Sequence, residues 1–398
     1  MTTLTGAEPP TMTDAEGTLE ALYDDPYPIY RGLHERASVH WFPAIERYLV
    51  IGYEACRQVE MAPETFLSND PGSLQRRAMG HSMIRKDGAE HASERKSYGN
   101  VLKPRAIAQT WDRIFAETTS QAIEEFKALG PGADFHTQFA APLAGENLRR
   151  LIGFVNASSN DMRRWSQDLI DAAGNYSDDP AAWKRATRSS AEVDEAIREL
   201  QPGLLAEPNA TLLSAVLHSG LSFESVCANI KLAISGGLNE PRDVMGTIVW
   251  AIVENPEQLD RAIAGPTLWT DVFDEAVRWV SPLAMYVRTS ATETVLDGFR
   301  IPAGSDLAIV VGAANRDPAV FADPDRFDVT REKKPHLAFG NGPHFCAGSW
   351  VARAMVAHHA IPAVFDAFPD LRLDPDNPPV AGGWVFRGPL SLPVQWGS

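Results

Sequence analysis

Residues 336–348 read HLAFGNGPHFCAG, and this stretch decides the reading of the whole chain. Its reactive atom is the sulfur of Cys346. Gly340 and Gly342 lie just upstream, and glycine lets a backbone come close to a flat ligand. Downstream, Trp350 to Ala360 holds no Gly or Pro and predicts a helix. A cysteine at a helix N-terminus feels unpaired N–H groups and the positive end of the dipole. Both favour the thiolate, which is the metal ligand. Phe339 is placed to shield the sulfur from water. A Gly-x-Gly by itself would mean only a turn beside an idle buried cysteine.

The pattern is longer than that. Phe339-Gly340-x-Gly342-x-His344-x-Cys346-x-Gly348 fixes six residue types, a chance match rarer than about one in ten thousand at ordinary usage. It resembles the haem-binding loop of the cytochrome P450 haem-thiolate monooxygenases, in their soluble bacterial form. The resemblance implies haem b, with Cys346 as the proximal iron ligand and His344 at a haem propionate. Phe339 and Gly340 would lie against the same cofactor. It also implies the family's mainly α helical prism with a smaller β region, from about residue 20 to the end.

Composition sets the outer limits. The chain has 398 residues, 44% of them hydrophobic, and a net charge of −16. An acidic surface argues against nucleic acid as a partner. The three cysteines, Cys56, Cys227 and Cys346, show no pairing by spacing. An odd number suits a reducing compartment, so a cytoplasmic location is expected. No zinc-type cluster and no apolar run of about 18 residues is present. Residues 1–25 are polar and acidic and read as a flexible arm, with residues 26–398 as a single haem-thiolate domain.

Along that domain, Tyr27 to Arg36 and Glu54 to Met61 read as helices. Val39–Trp41 and Tyr48–Ile51 read as a small hairpin. Asn69 to His81, rich in Gly, Ser and charge, reads as a loop, and the resemblance implies that it roofs the site. In His91-Ala-Ser-Glu-Arg95, one helical turn puts two donors on one face. The spacing matches the family's His-x-x-x-Arg propionate clamp. Ile107–Leu129, Phe139–Phe154, Ser158–Ala173 and Pro180–Glu199 are helical by period.

Ser222 to Glu254 predicts one long helix, similar to the family's central helix across the distal haem face. Pro241 lacks an N–H, and its ring clashes with the carbonyl of Gly237. The helix is therefore expected to open or kink there, with no side chain on Gly236 or Gly237 to fill the gap, leaving a niche for O₂. The family commonly carries an acid and then an alcohol at this place. Here stand Asn239 and Glu240. Asn239 cannot titrate and is assigned to orienting water. Glu240 can titrate, and burial raises a carboxyl's pKa, so it is assigned the proton relay. A carboxylate there also leaves open a peroxide-driven peroxygenase.

By the same resemblance, Glu275, Arg278 and Arg326 form a structural triad, and Arg288 meets the second propionate. Leu283 to Val287, including Met285, should line the pocket. The Trp384-Val385-Phe386 turn should intrude into it. Arg76, Arg77 and His81 in the roof loop are candidates for holding an aromatic acid. Lys333, Lys334 and Arg353 are candidates for docking a separate redox partner, either a ferredoxin with its reductase or a flavin/iron–sulfur reductase. The Gly-Gly-x-Asn-Glu-Pro run and the Trp-x-Phe-Arg-Gly-Pro turn look similar to members acting on small aromatics, including guaiacol O-demethylases. The expected reaction is insertion of one oxygen atom of O₂ into a methoxyphenol, releasing formaldehyde. Aromatic acids and terpenoids remain as other substrates, and a haem-thiolate ligand sensor as a non-catalytic alternative.

Overall fold

The longest helix, Phe223–Glu254, is apolar on nearly every face, with Ile230, Ile234, Leu238, Met245, Ile248, Val249 and Ile252 all buried. Such a helix belongs in the middle of a core. Ser222 begins it, its hydroxyl accepting from the Ser225 amide. In the computed structural model, which describes residues 6–263 and 268–397, it packs against Ala141–Ile152, Ser159–Ala173 and Leu268–Val280. Together with Asp112–Leu129 these build the main hydrophobic cluster. The architecture is mainly helical with a smaller β region, as expected.

Pro241 does not break this helix, which runs unbroken from Phe223 to Glu254. Of the two glycines before it, Gly237 serves packing. A Cβ there would lie 2.7 Å from Leu148 Cδ1, so glycine sets how closely the Ala141–Ile152 helix crosses. Gly236 faces the cavity, where the nearest neighbour of an added Cβ is Glu240 Oε1 at 3.7 Å.

A five-stranded sheet flanks the helices. The hairpin Val39–Phe42/Arg47–Val50 pairs antiparallel, Val39 opposite Val50. Arg47–Val50 runs parallel to Asp306–Ile309, which pairs antiparallel with Tyr286–Ser290. Phe66–Leu67 closes the edge. The sheet places Arg47 and Arg288 on the site's flank. No helix among the described residues is long and apolar enough to cross a membrane.

Three expectations need correction here. Residues 6–25 are not a loose arm. Ala7 bridges Phe299, Thr11 bridges Trp41, and Met12 and Leu22 are buried in the second core cluster. Residues 1–5 lie outside the described residues. The roof stretch is not all loop, because Leu74–Met79 forms a helix capped by Ser73. The helix expected over 180–199 continues to Ala206, through Pro202.

The staple also differs in its third member. Arg278 grips Glu275 with two 2.7 Å hydrogen bonds and donates to the carbonyls of Asn315 and Pro324. The Arg326 side chain is exposed, and only its backbone carbonyl joins the network. Arg331 takes the expected place, its Nε 3.2 Å from Glu275 Oε1. The turn at Asp328, whose amide donates to the same carboxylate at 2.9 Å, swings Arg331 back. Removing one partner of a buried charge network leaves the rest unpaired. Arg331→Ala is therefore expected to cost about 3 kcal/mol. Arg326→Ala should stay within about 0.5 kcal/mol. Urea unfolding of the two variants checks this, and equal effects would restore Arg326 to the triad.

Candidate active site

The Cys346 loop is fixed from two sides. Gly340 and Gly342 have φ of +66° and +61°, in the left-handed region that favours glycine. At Gly342 a Cβ would fall 2.5 Å from the Glu60 carbonyl oxygen, so the Tyr53–Met61 helix presses on the turn. The Cys346 amide donates to the Phe339 carbonyl at 2.8 Å. Phe339 stacks on Phe273 at 6.1 Å, and the Arg353 guanidinium covers its ring at 4.9 Å.

Burial pushes the Cys346 thiol up, while the amides of Gly348 and Ser349 and the charge of Arg95 pull it down. The helix-terminus effect expected from sequence is present, but burial outweighs it. A cation bound at sulfur reverses that balance, since a coordinating thiol is deprotonated outright.

Cys346 opens into a cavity of about 330 Å³. On one flank, His91 and Arg95 share a face of the Gly88–Tyr98 helix, as their spacing predicts. The His91 and His344 rings lie 4.0 Å apart, and His344 Nε2 is 3.1 Å from Ser68 Oγ. Burial, then the charges of His344 and Arg95, lowers His91 to about 4. Arg95 donates to the Phe345 carbonyl beside the cysteine. Arg288 is buried, and the same desolvation lowers it to about 10. No carboxylate pairs with Arg95 or Arg288 within ion-pair distance among the described residues. His344 Nε2 lies 3.8 Å from Asp87, yet Arg95 and Arg288 have no carboxylate partner among the described residues, and guanidinium and imidazole groups converging on one flank suit the two propionates of a haem. The left-handed glycine turn and open cavity in front of the sulfur suit its flat ring.

The opposite wall is the central helix. Glu240 faces the cavity, its Oε2 buried without a hydrogen-bond partner, and burial raises its pKa to about 8. Its charge also registers at Cys346. Asn239 does not line the cavity. One residue along a helix turns the side chain by roughly 100°, and Asn239 instead donates to Ser166 and to the Ser235 carbonyl. Its assignment to orienting water is corrected on that ground.

Gly236, Met285, Val385 and Phe386 all line the cavity, as anticipated. The last two are carried in by a tight turn. Gly383 has φ +97°, and a Cβ there would sit 1.8 Å from the Phe386 carbonyl oxygen. Ala284 and Arg387 amides bond to the Val385 and Pro282 carbonyls at 2.9 and 2.8 Å, pinning the turn beside Met285. Trp384 points the other way. Its indole N–H donates to Tyr30 at 3.0 Å and its ring meets Phe42 edge-on, so it supports the turn without touching the cavity.

The roof residues fare differently. Arg77 pairs with Asp178 and lies over Trp183, Arg76 bonds Asn69, and His81 meets the Arg85 carbonyl. None of the three lines the cavity. The candidate docking cations are each engaged too: Lys333 with Asp271, Lys334 with the Val320 carbonyl and Arg353 with Asp274. Polar residues missed in the sequence also line the site, Glu60, Arg47, Arg85 and Tyr176 among them. Glu60 is buried, accepts from Tyr286, and is raised to about 8 by burial. Each lies in an ordinary amphipathic or loop context, and only the fold brings them together.

Comparison with known proteins agrees with this geometry. Residues 263–368 match the family model described as Cytochrome P450. Cytochrome P450 107B1 of Saccharopolyspora erythraea is 31% identical, with 80% of this chain and 78% of that protein covered. Cytochrome P450 monooxygenase PikC of Streptomyces venezuelae is 28% identical, covering 98% and 96%. The crystal structure of the versatile cytochrome P450 enzyme CYP109B1 from Bacillus subtilis superposes with a TM-score of 0.83, at 25% identity, over 93% of this chain and 99% of that one. The chain therefore belongs to the cytochrome P450 family, monooxygenases that bind haem b through a cysteine thiolate.

Proposed function

We propose that residues 6–397 work as one monooxygenase unit in which Cys346 ligates the iron, Glu240 delivers protons, and the substrate is a small aromatic methyl ether. The observation that carries this reading is the placement of Cys346 and Glu240 on one cavity, across the gap left by Gly236. Thiolate-bound haem supplies O₂ activation, the sulfur pushing electron density toward O–O cleavage.

The chain's own residues do the rest. His91, Arg95, His344 and Arg288 hold the propionates. Glu240 is protonated near neutral pH because burial penalises its charge, so it donates rather than abstracts. Phe386, Met285 and Val385 give an apolar seat for an aromatic ring. Oxidation of the ether methyl consumes O₂, two electrons and two protons. It yields water and a hemiacetal, which collapses to a phenol and formaldehyde.

Electrons come from a separate ferredoxin-type or flavin/iron–sulfur partner. Phe345 and Trp350 are exposed beside the cysteine loop and offer it a contact. Three unpaired cysteines suit a reducing cytoplasm.

Three outcomes test this reading. Reduced protein with CO should show the red-shifted Soret band of thiolate-ligated haem. Cys346→Ala should abolish the band, and Cys56→Ala and Cys227→Ala should keep it. A band that survives in Cys346→Ala removes the ligand assignment. Glu240→Gln should lower the share of reductant that ends in product by about tenfold or more, and Asn239→Ala by less. Normal coupling in Glu240→Gln would exclude the relay. With a competent reductase, a 4-alkylguaiacol or 4-methoxybenzoate should release formaldehyde. Silence from both would end the aromatic-ether reading.

A further inference from the structure

Two arginines of the cavity are left over once the propionate clamp is accounted for. Arg85 is 7% exposed. Its Nε donates to Gln75 Oε1 at 2.7 Å and one Nη to the Val287 carbonyl at 3.3 Å. No carboxylate lies within ion-pair distance of it among the described residues. Desolvation, then the neighbouring charge of Arg288, lowers it to about 10.

Arg47 is 9% exposed, and its Nε has no hydrogen-bond partner. It reaches Asp306 at 3.2 Å and Asp70 only at 3.7 Å. Both arginines line the cavity, and Tyr176 on the same wall lies in the field of both. Two guanidinium groups held in place by a sheet strand, a capped helix and a backbone carbonyl are preorganised donors. Asp306 pairs with Arg47, while Arg85 has no carboxylate partner among the described residues; a buried cation is retained where an anion pairs with it, and the fork geometry of arginine matches a carboxylate.

We infer that Arg47 and Arg85 form a carboxylate subsite, so that the substrate enters as the anion of a small carboxylic acid with its oxidised carbon toward Cys346. This rests on reading the cavity as the monooxygenase pocket. The shared chemistry is a carboxylate, and a haem propionate is the other source of one. The substrate is favoured because His91, Arg95, His344 and Arg288 already face two propionates. Arg85 in turn is tied to Gln75 and Val287, on the elements that carry the roof and Met285. The Arg76, Arg77 and His81 cluster is not the anion site. The charge that meets the acid is buried, on two arginines the fold collects from separate stretches.

The test uses the haem-loaded full chain and its Arg85→Gln, Arg47→Gln and Arg85→Lys variants. Haem content is measured together with spectral dissociation constants for 4-methoxybenzoate, its methyl ester, decanoate and decanol. The parent should prefer each acid over its neutral partner. Arg85→Gln and Arg47→Gln should each lower the acid-to-neutral affinity ratio by about tenfold or more, with haem content at the parent level. Arg85→Lys should retain part of the preference. Haem loss in Arg85→Gln with an unmoved ratio would assign Arg85 to a propionate and overturn the inference. An unmoved ratio with full haem would overturn it as well. If neither aromatic compound binds, the aromatic reading fails alone. The decanoate and decanol pair then decides the carboxylate subsite, and equal affinity for these two rejects it.

Discussion

Everything in this protein depends on how the Cys346 turn is held against the Tyr53–Met61 helix. Gly342 approaches the Glu60 carbonyl so closely that any side chain would collide with it. The Phe339 carbonyl then takes the Cys346 amide, and the helix beginning at Ser349 turns its first amides toward the sulfur. A sulfur fixed at the floor of an apolar cavity defines one reactive point. The remaining polar side chains of the cavity can be understood by their distance from it and by what charge they face.

Those polar groups divide by environment. His91, Arg95, His344 and Arg288 are cationic or donor groups gathered on one flank. Glu240 and Glu60 are carboxyls that burial keeps protonated near neutral pH, the first over the sulfur and the second behind the turn. Arg47 and Arg85 line the same cavity, Arg85 within the field of Arg288. Low dielectric makes each unpaired group costly, so the pattern of unpaired groups is informative about what binds. A proton donor on the wall across from the sulfur, a donor flank for two carboxylates and a further pair of arginines next to that flank make up the polar lining of the cavity.

Local signals in the sequence were enough for the cysteine loop, the His91/Arg95 spacing, the bounds of the long helix and the small hairpin. Each is set by turn chemistry or by a period over a few residues. The errors have a common cause in non-local geometry. Asn239 and Glu240 are neighbours in sequence, yet a helix points them at different partners. Arg331 replaces Arg326 because a turn at Asp328 returns the chain to Glu275. Trp384 and Phe386 flank one residue but face opposite ways, because Gly383 forces the turn. The arm at 6–25 looked loose because its anchors, Phe299 and Trp41, lie elsewhere in the chain. Arg47 and Arg85 had no signature at all, since a surface-like arginine becomes a buried one only when sheet and roof close over it.

The central claim is that Cys346 supplies the sulfur bound to iron. X-ray absorption at the iron edge of the haem-loaded protein addresses it most directly. The account predicts one sulfur neighbour of iron in the parent and in Cys56→Ser and Cys227→Ser, and none in Cys346→Ser. A sulfur neighbour that persists in Cys346→Ser, or its absence from the parent, would contradict it.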